Sequence, residues 1–329
     1  MAIRIPRGWE RPDSAATPEA LFWNRRKLVK TLAAGPILLA APALLSDCEE
    51  SAKISAAALE PDPSANLYPV KRNPRYTLDR PVTPENLATS YNNYYEFGSS
   101  KSIKAQAQAL PPRSWTLTLD GLVEKPIQIA IDDLLARMPL DERLYCHRCV
   151  EAWSMDVPWS GFPLKALVEL ARPLSSARYL RFSSFENADV APGQKTPWYP
   201  WPYTEGLTMA EATNELAYFA TGAYGKALPK QNGAPLRLTL PWKYGFKSAK
   251  GIVRIEFTDK QPVTFWEALS AKEYGFWANV NPKVPHLHWS QATERVLGLN
   301  GRAPTRIYNG YGAYVAELYA GMKDQRLFV

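Results

Sequence analysis

The chain has 329 residues, of which 46% are apolar and 22% charged. That is enough to bury one large core or two small ones and excludes a chain disordered throughout. Its formal net charge of +7 is scattered, and the densest cluster, Arg25-Arg26-Lys27, precedes an apolar run, so nucleic-acid binding has no support. Beyond residues 31–45 no apolar run is long enough to cross a bilayer, which excludes a channel or a transporter.

In chain order, residues 24–30 carry the basic cluster and residues 31–45 a short, weakly apolar stretch interrupted by Gly35, Pro36 and Pro42 and ending in small residues. The prolines would break an anchoring helix. The pattern resembles a twin-arginine export signal, a route that carries folded proteins, and predicts a signal segment over 1–45 and a periplasmic location. Cleavage near Ala43 is expected over lipidation at Cys48 or a retained anchor. Residues 46–90, rich in Ala, Pro, Asn and Ser without a sustained period, read as an irregular linker and N-terminal wrap.

From Tyr91 the body begins. Alternating runs at residues 115–120, 178–183, 236–240 and 252–257 predict half-buried strands. Helices are predicted over 131–138, 163–171 and 209–214, the second with Leu164, Leu167, Val168 and Leu170 on one side. With 29 prolines and short helices, the expectation for residues 91–329 is a loop-rich α+β body, not a dinucleotide fold.

Candidate chemistry is sparse. There are 3 histidines, His147, His286 and His288; His286-x-His288 has the spacing of a metal pair, though packing in a Pro-flanked loop accounts for it better. No G-x-S-x-G, Walker A, H-E-x-x-H or G-x-G-x-x-G motif occurs, so common hydrolase and nucleotide-binding readings lack support. Cys146-His147-Arg148-Cys149 has C-x-x-C spacing without a second such pair, and no His follows Cys149 as in c-type haem attachment. Spacing alone leaves a structural cysteine and a redox or metal cysteine equally open.

Arg148-Cys149-Val150-Glu151-Ala152-Trp153-Ser154-Met155, followed by Val157-Pro158-Trp159 and Gly161-Phe162-Pro163-Leu164, resembles the metal-ligand segment of the sulfite-oxidase superfamily. Within that superfamily it is most similar to the catalytic subunits of bacterial periplasmic protein-methionine-sulfoxide reductases. Further matching blocks, at residues 91–98, 224–229, 231–235, 241–247, 274–276, 278–282 and 289–295, run in order after residue 90.

The resemblance implies a sulfite-oxidase-type molybdopterin-binding fold, α+β, with mixed sheets and short helices in a single catalytic domain over 91–329. It implies a molybdenum-molybdopterin cofactor, one per chain, with Cys149 the protein ligand; a thiolate suits a metal cycling through two electrons. Cofactor contacts carry over to Asn92, Tyr95, Glu96, Ser184, Asn232 and Arg237, and the phosphate end to Ser248, Ala249 and Lys250. Asn93 falls near the open face and Glu151 where oxygen transfer needs a proton donor.

The implied activity is repair of oxidised periplasmic proteins by two-electron reduction of methionine sulfoxide. Its electrons would come from a haem-bearing membrane subunit fed by quinone. The alternatives are a sulfite dehydrogenase or small S- or N-oxide reductase on the same fold, or a cofactor-free extracytoplasmic binding module. Cys146 and His147 depart from the family pattern and put a second thiol near the ligand, either buried or disulfide-bonded to Cys149 in metal-free protein. Ser184 stands where threonine is more usual and keeps the hydroxyl.

Overall fold

The computed structural model describes residues 64–328; the expected signal segment over 1–45 lies outside them. Residues 64–90 form little regular structure beyond the short helix α1 (Glu85–Ala88). They are pinned to the body by ion pairs, Arg72 to Glu142 and Arg80 to Asp156 and Glu294.

Alternation produces the first sheet. In β1 (Thr116–Gly121), Leu117 and Leu119 are fully buried while the threonines beside them are half-buried. β2 (Ile127–Ala130) folds back antiparallel on β1 and runs into α2 (Ile131–Arg137), which buries Ile131, Leu134 and Leu135. With β5 (Tyr179–Ser184), β6 (Thr204–Thr208) and β10 (Ile252–Thr258) they make a five-stranded sheet ordered β2-β1-β10-β5-β6. Only the β1–β10 pairing in it is parallel.

The second sheet is built on the motif-bearing stretch. β3 (Asp141–Cys149) and β4 (Trp153–Pro163) pair antiparallel along their whole length. The other edge of β4 pairs with β7 (Tyr218–Ala223) and, in parallel, with β11 (Thr293–Val296). β8 (Lys226–Ala227), β9 (Arg237–Thr239) and β12 (Ala303–Pro304) complete seven strands. Every residue of β4 before Pro163 is buried, as is all of β7. Strands covered on both faces lose alternation, so pattern reading passes over them.

Helix α3 (Leu164–Ala171) buries Leu164, Leu167, Val168 and Ala171, the i, i+3, i+4, i+7 stripe of a helix lying on a core. The Thr208 hydroxyl accepts from the Glu211 N–H while the Glu211 carboxylate accepts from the Thr208 N–H, a capping box that starts α4 (Met209–Ala212). α5 (Phe265–Ser270) follows β10. The architecture is thus the expected α+β, mixed sheets with short helices, and among the described residues no helix is long and apolar enough to cross a membrane.

Candidate active site

Three residues, Val150, Glu151 and Ala152, join β3 to β4. Ala152 is left-handed (φ 60°) and its N–H donates to the Cys149 carbonyl at 3.1 Å. A left-handed last residue is what a three-residue hairpin loop requires, and it sets Cys149 opposite Trp153 at the tip. Cys149 and Glu151 there line a cavity. Its walls also come from residues 91–96, Arg237 at the start of β9, the turn at 245–250, Trp266 of α5, Tyr274 and Trp289.

Polar groups crowd the thiol. Asn93 Nδ2 lies 3.4 Å from Cys149 Sγ and 3.3 Å from Glu151 Oε2. The same oxygen accepts from Trp153 Nε1 at 3.1 Å and pairs with Lys101 Nζ at 2.6 Å. Burial alone would raise the Glu151 carboxyl, but Lys101, Trp153 and Asn93 outweigh it and hold it below its ordinary value. Burial, with the charge of Glu151, pushes the Cys149 thiol up to about 12. A bound cation is what would make such a sulfur a thiolate.

The other end of the cavity is cationic. Arg237 is buried, its Nη1 donating to the Asn232 carbonyl at 3.0 Å and its guanidinium 4.7 Å from the Trp159 ring centre, while Nε and Nη2 have no hydrogen-bond partner among the described residues. Burial lowers Arg237 to about 10. Lys250 is depressed by burial and by the charge of Arg237, and Glu96 is raised by burial despite Lys250 and the Ser184 hydroxyl. The Asn92 and Asn232 amides both donate to the Ala88 carbonyl, at 3.2 and 3.0 Å, and each leaves a buried Oδ1 unpartnered. Unmet buried polar groups cost free energy unless a ligand completes them, and this set suits an anionic ligand with its own donors and acceptors.

The expected residues Cys149, Asn93, Glu151, Asn92, Tyr95, Glu96, Arg237, Ala249 and Lys250 all come together on the cavity wall. Ser184, Asn232 and Ser248 do not. Ser184 stands behind the wall as a hydrogen-bond partner of Glu96, the Asn232 carbonyl holds Arg237, and Ser248 Oγ accepts from the Leu240 N–H at 3.3 Å. His147, absent from the expected set, also lines the cavity, neutralised by burial and by Arg237 and Lys250. It lies two residues before Cys149 on a strand and so shares its face, a signal available in the sequence. The aromatic wall, Tyr91, Tyr274 and Trp289 included, comes from three of the matching blocks, which mark the segments without showing which rings face the cavity.

Cys146 lies on the opposite face of β3, buried, its sulfur 2.5 Å from the Arg80 guanidinium and 3.6 Å from Asn309 Oδ1. Three residues of extended strand separate the two cysteines by roughly 10 Å, whereas a disulfide needs Cα atoms within about 7 Å. The buried alternative is therefore the one seen, and a Cys146–Cys149 disulfide is incompatible with β3. Arg148 is fully buried and outside the cavity, bonded to Glu294, Gln291 and Thr305. His286 stacks on Trp289 with ring centres 3.8 Å apart and shares Glu273 with His288. Among the described residues no group of three or more His, Cys, Asp or Glu side chains is placed to hold a metal ion.

Residues 104–266 match the family described as oxidoreductase molybdopterin binding domain. The chain is similar to the protein-methionine-sulfoxide reductase catalytic subunit MsrP of Pseudomonas syringae pv. tomato, 45% identical with 98% of each chain covered. It is likewise similar to that of Burkholderia mallei, 43% identical over 96% of this chain and 95% of that one. A similar solved structure is the sulfane dehydrogenase SoxCD from Paracoccus pantotrophus, with a TM-score of 0.46 and 19% identity over 71% of this chain and 57% of that one.

Proposed function

The chain belongs to the family of protein-methionine-sulfoxide reductase catalytic subunits, and we propose how its own residues carry that activity. The protein is a molybdopterin-dependent oxidoreductase that reduces methionine sulfoxide in proteins, with molybdenum-molybdopterin as its cofactor. The donor set fits that group. One observation carries the reading: a buried thiol and an arginine with two unpartnered nitrogens line the same cavity.

In this reading Cys149 gives the metal its protein sulfur, a soft donor for a two-electron centre. Arg237 and Lys250 take the anionic end with Ala249, and the free Oδ1 atoms of Asn92 and Asn232 accept from the pterin. Tyr95 and Glu96 close the wall. Ser184 and Ser248 act from behind it, by holding Glu96 and the turn before Lys250. When bound, the group supplies two-electron removal of the sulfoxide oxygen, which with two protons leaves methionine and water. Asn93, with its amide nitrogen beside Sγ, donates to that oxygen. Glu151, one-third exposed, brings protons from solvent to it. The aromatic wall of Tyr274, Trp266 and Trp289 accepts the apolar stem of the methionine sulfoxide side chain.

The basic cluster and weakly apolar run before residue 46 support export by the twin-arginine pathway to the periplasm. A catalytic subunit has a further subunit to serve it, and no electron-carrying motif of this chain supplies one, so a haem-bearing membrane partner drawing on quinone is the source we propose. Sulfite oxidation is disfavoured because Arg148, the cation beside the ligand, is committed to Glu294. The test supplies molybdenum-loaded protein with a reduced dye and an oxidised protein substrate, and follows methionine sulfoxide by mass spectrometry. Loss of the oxygen is expected. Sulfite oxidation without sulfoxide reduction would contradict the reading.

A further inference from the structure

Glu151 is restrained through one oxygen. Oε2 meets Lys101 Nζ at 2.6 Å, Trp153 Nε1 at 3.1 Å and Asn93 Nδ2 at 3.3 Å. Two of these donors belong to the cavity wall. Lys101 does not: it approaches from the rim, its side chain 22% exposed. Its backbone is engaged as well, because the Asn92 N–H donates to the Lys101 carbonyl at 3.2 Å. One residue therefore ties the segment bearing Asn92 and Asn93 to the carboxylate beside Cys149.

The three restraints are unequal. A charge-assisted bond is about twice as strong as a neutral one, and Lys101 is the shortest contact and, among the described residues, the only cation paired with this carboxylate. Without it, two longer neutral bonds remain to hold an acidic side chain on a three-residue loop at the rim of the cavity. We propose that Lys101 is a positioning residue for the reaction: its ion pair to Oε2 holds the Glu151 carboxylate beside Asn93 and Cys149, within reach of the reacting oxygen atom. The inference rests on the reading that Glu151 serves that atom.

Position matters here because a carboxylate that relays a proton must lie within hydrogen-bond reach of the reacting atom, and a misplacement of about 1 Å costs up to about a hundredfold in rate. Arginine keeps the charge and can still reach a carboxylate, whereas methionine keeps length and loses both charge and donors.

The experiment uses molybdenum-loaded Lys101→Met, Lys101→Arg, Glu151→Gln and the Lys101→Met/Glu151→Gln double variant, with a methionine-sulfoxide peptide as substrate. Lys101→Met is expected to keep its molybdenum, to lose about tenfold in kcat with KM within about twofold, and to shift the paramagnetic resonance of the pentavalent metal. Its crystal structure should show the Glu151 carboxylate off Trp153 and Asn93. Lys101→Arg should recover most of kcat, and Lys101→Met should add nothing in the Glu151→Gln background. Unchanged kcat and resonance in Lys101→Met, beside a slow Glu151→Gln, would overturn the positioning role alone. Loss of molybdenum from Lys101→Met would also overturn it, by marking a structural part. Wild-type kcat in Glu151→Gln would overturn it together with the role of Glu151 itself.

Discussion

Arg237 is buried with no carboxylate among the described residues to neutralise it, its charge met by one carbonyl and the Trp159 face. Such a group costs stability, and replacing it with an apolar side chain of similar length is commonly neutral or stabilising. Metal-free Arg237→Met is therefore expected to unfold at equal or higher urea, by up to about 1 kcal/mol, while retaining far less molybdopterin after gel filtration. A large loss of stability with full retention would assign Arg237 to the core instead. Glu211 shows the opposite arrangement: burial would raise it, but Lys243 at 2.5 Å, with Tyr319 donating at 2.6 Å, holds it below its ordinary value. A carboxyl lowered on folding stabilises above its unfolded value, about 4.5, and that contribution disappears as pH falls through the folded value. The difference in unfolding free energy between wild type and Glu211→Gln should thus be flat from about pH 7 to 5 and shrink below about 4.5. A constant difference down to about pH 3 would refute the pairing.

At the scale of elements, the β3–β4 hairpin sets the site, and its fit depends on one glycine. β4 shifts register against β7 between Ser160 and Gly161, where an added Cβ would collide with the Phe219 carbonyl. Gly161→Ala is expected to cost about 1–3 kcal/mol in chemical denaturation and to lower cofactor content by displacing the hairpin; a change under about 0.5 kcal/mol would show that the strands part freely. Most elements legible in the sequence have one wet face; β9, buried throughout, shows instead through the Leu-Arg-Leu-Thr-Leu alternation of residues 236–240. β1, β5, β9, β10 and helices α2 to α4 each fall within a residue or two of their predicted spans. β3, β4 and β7 carried no period because burial on both sides removes the polar alternate positions.

At the scale of the molecule, chemistry was legible where it rests on a short contiguous motif and illegible where it rests on assembly. Cys149 and Glu151 were readable because one loop carries both, and the residues 91–96 because they form one block. Ser184, Asn232 and Ser248 fall outside the cavity lining, since a sequence block gives neighbourhood and not which side chain reaches the wall. Lys101 and the aromatic wall needed the fold to bring separate segments together. Cys146, the other half of the C-x-x-C pair, is set apart from Cys149 by strand alternation, so the two thiols make opposite predictions in one measurement. X-ray absorption at the molybdenum edge, on wild type, Cys149→Ser and Cys146→Ser purified with cofactor, counts the sulfur neighbours of the metal. One sulfur fewer is expected in Cys149→Ser alone; an unchanged sulfur shell in Cys149→Ser, or the loss in Cys146→Ser, would contradict Cys149 as the ligand.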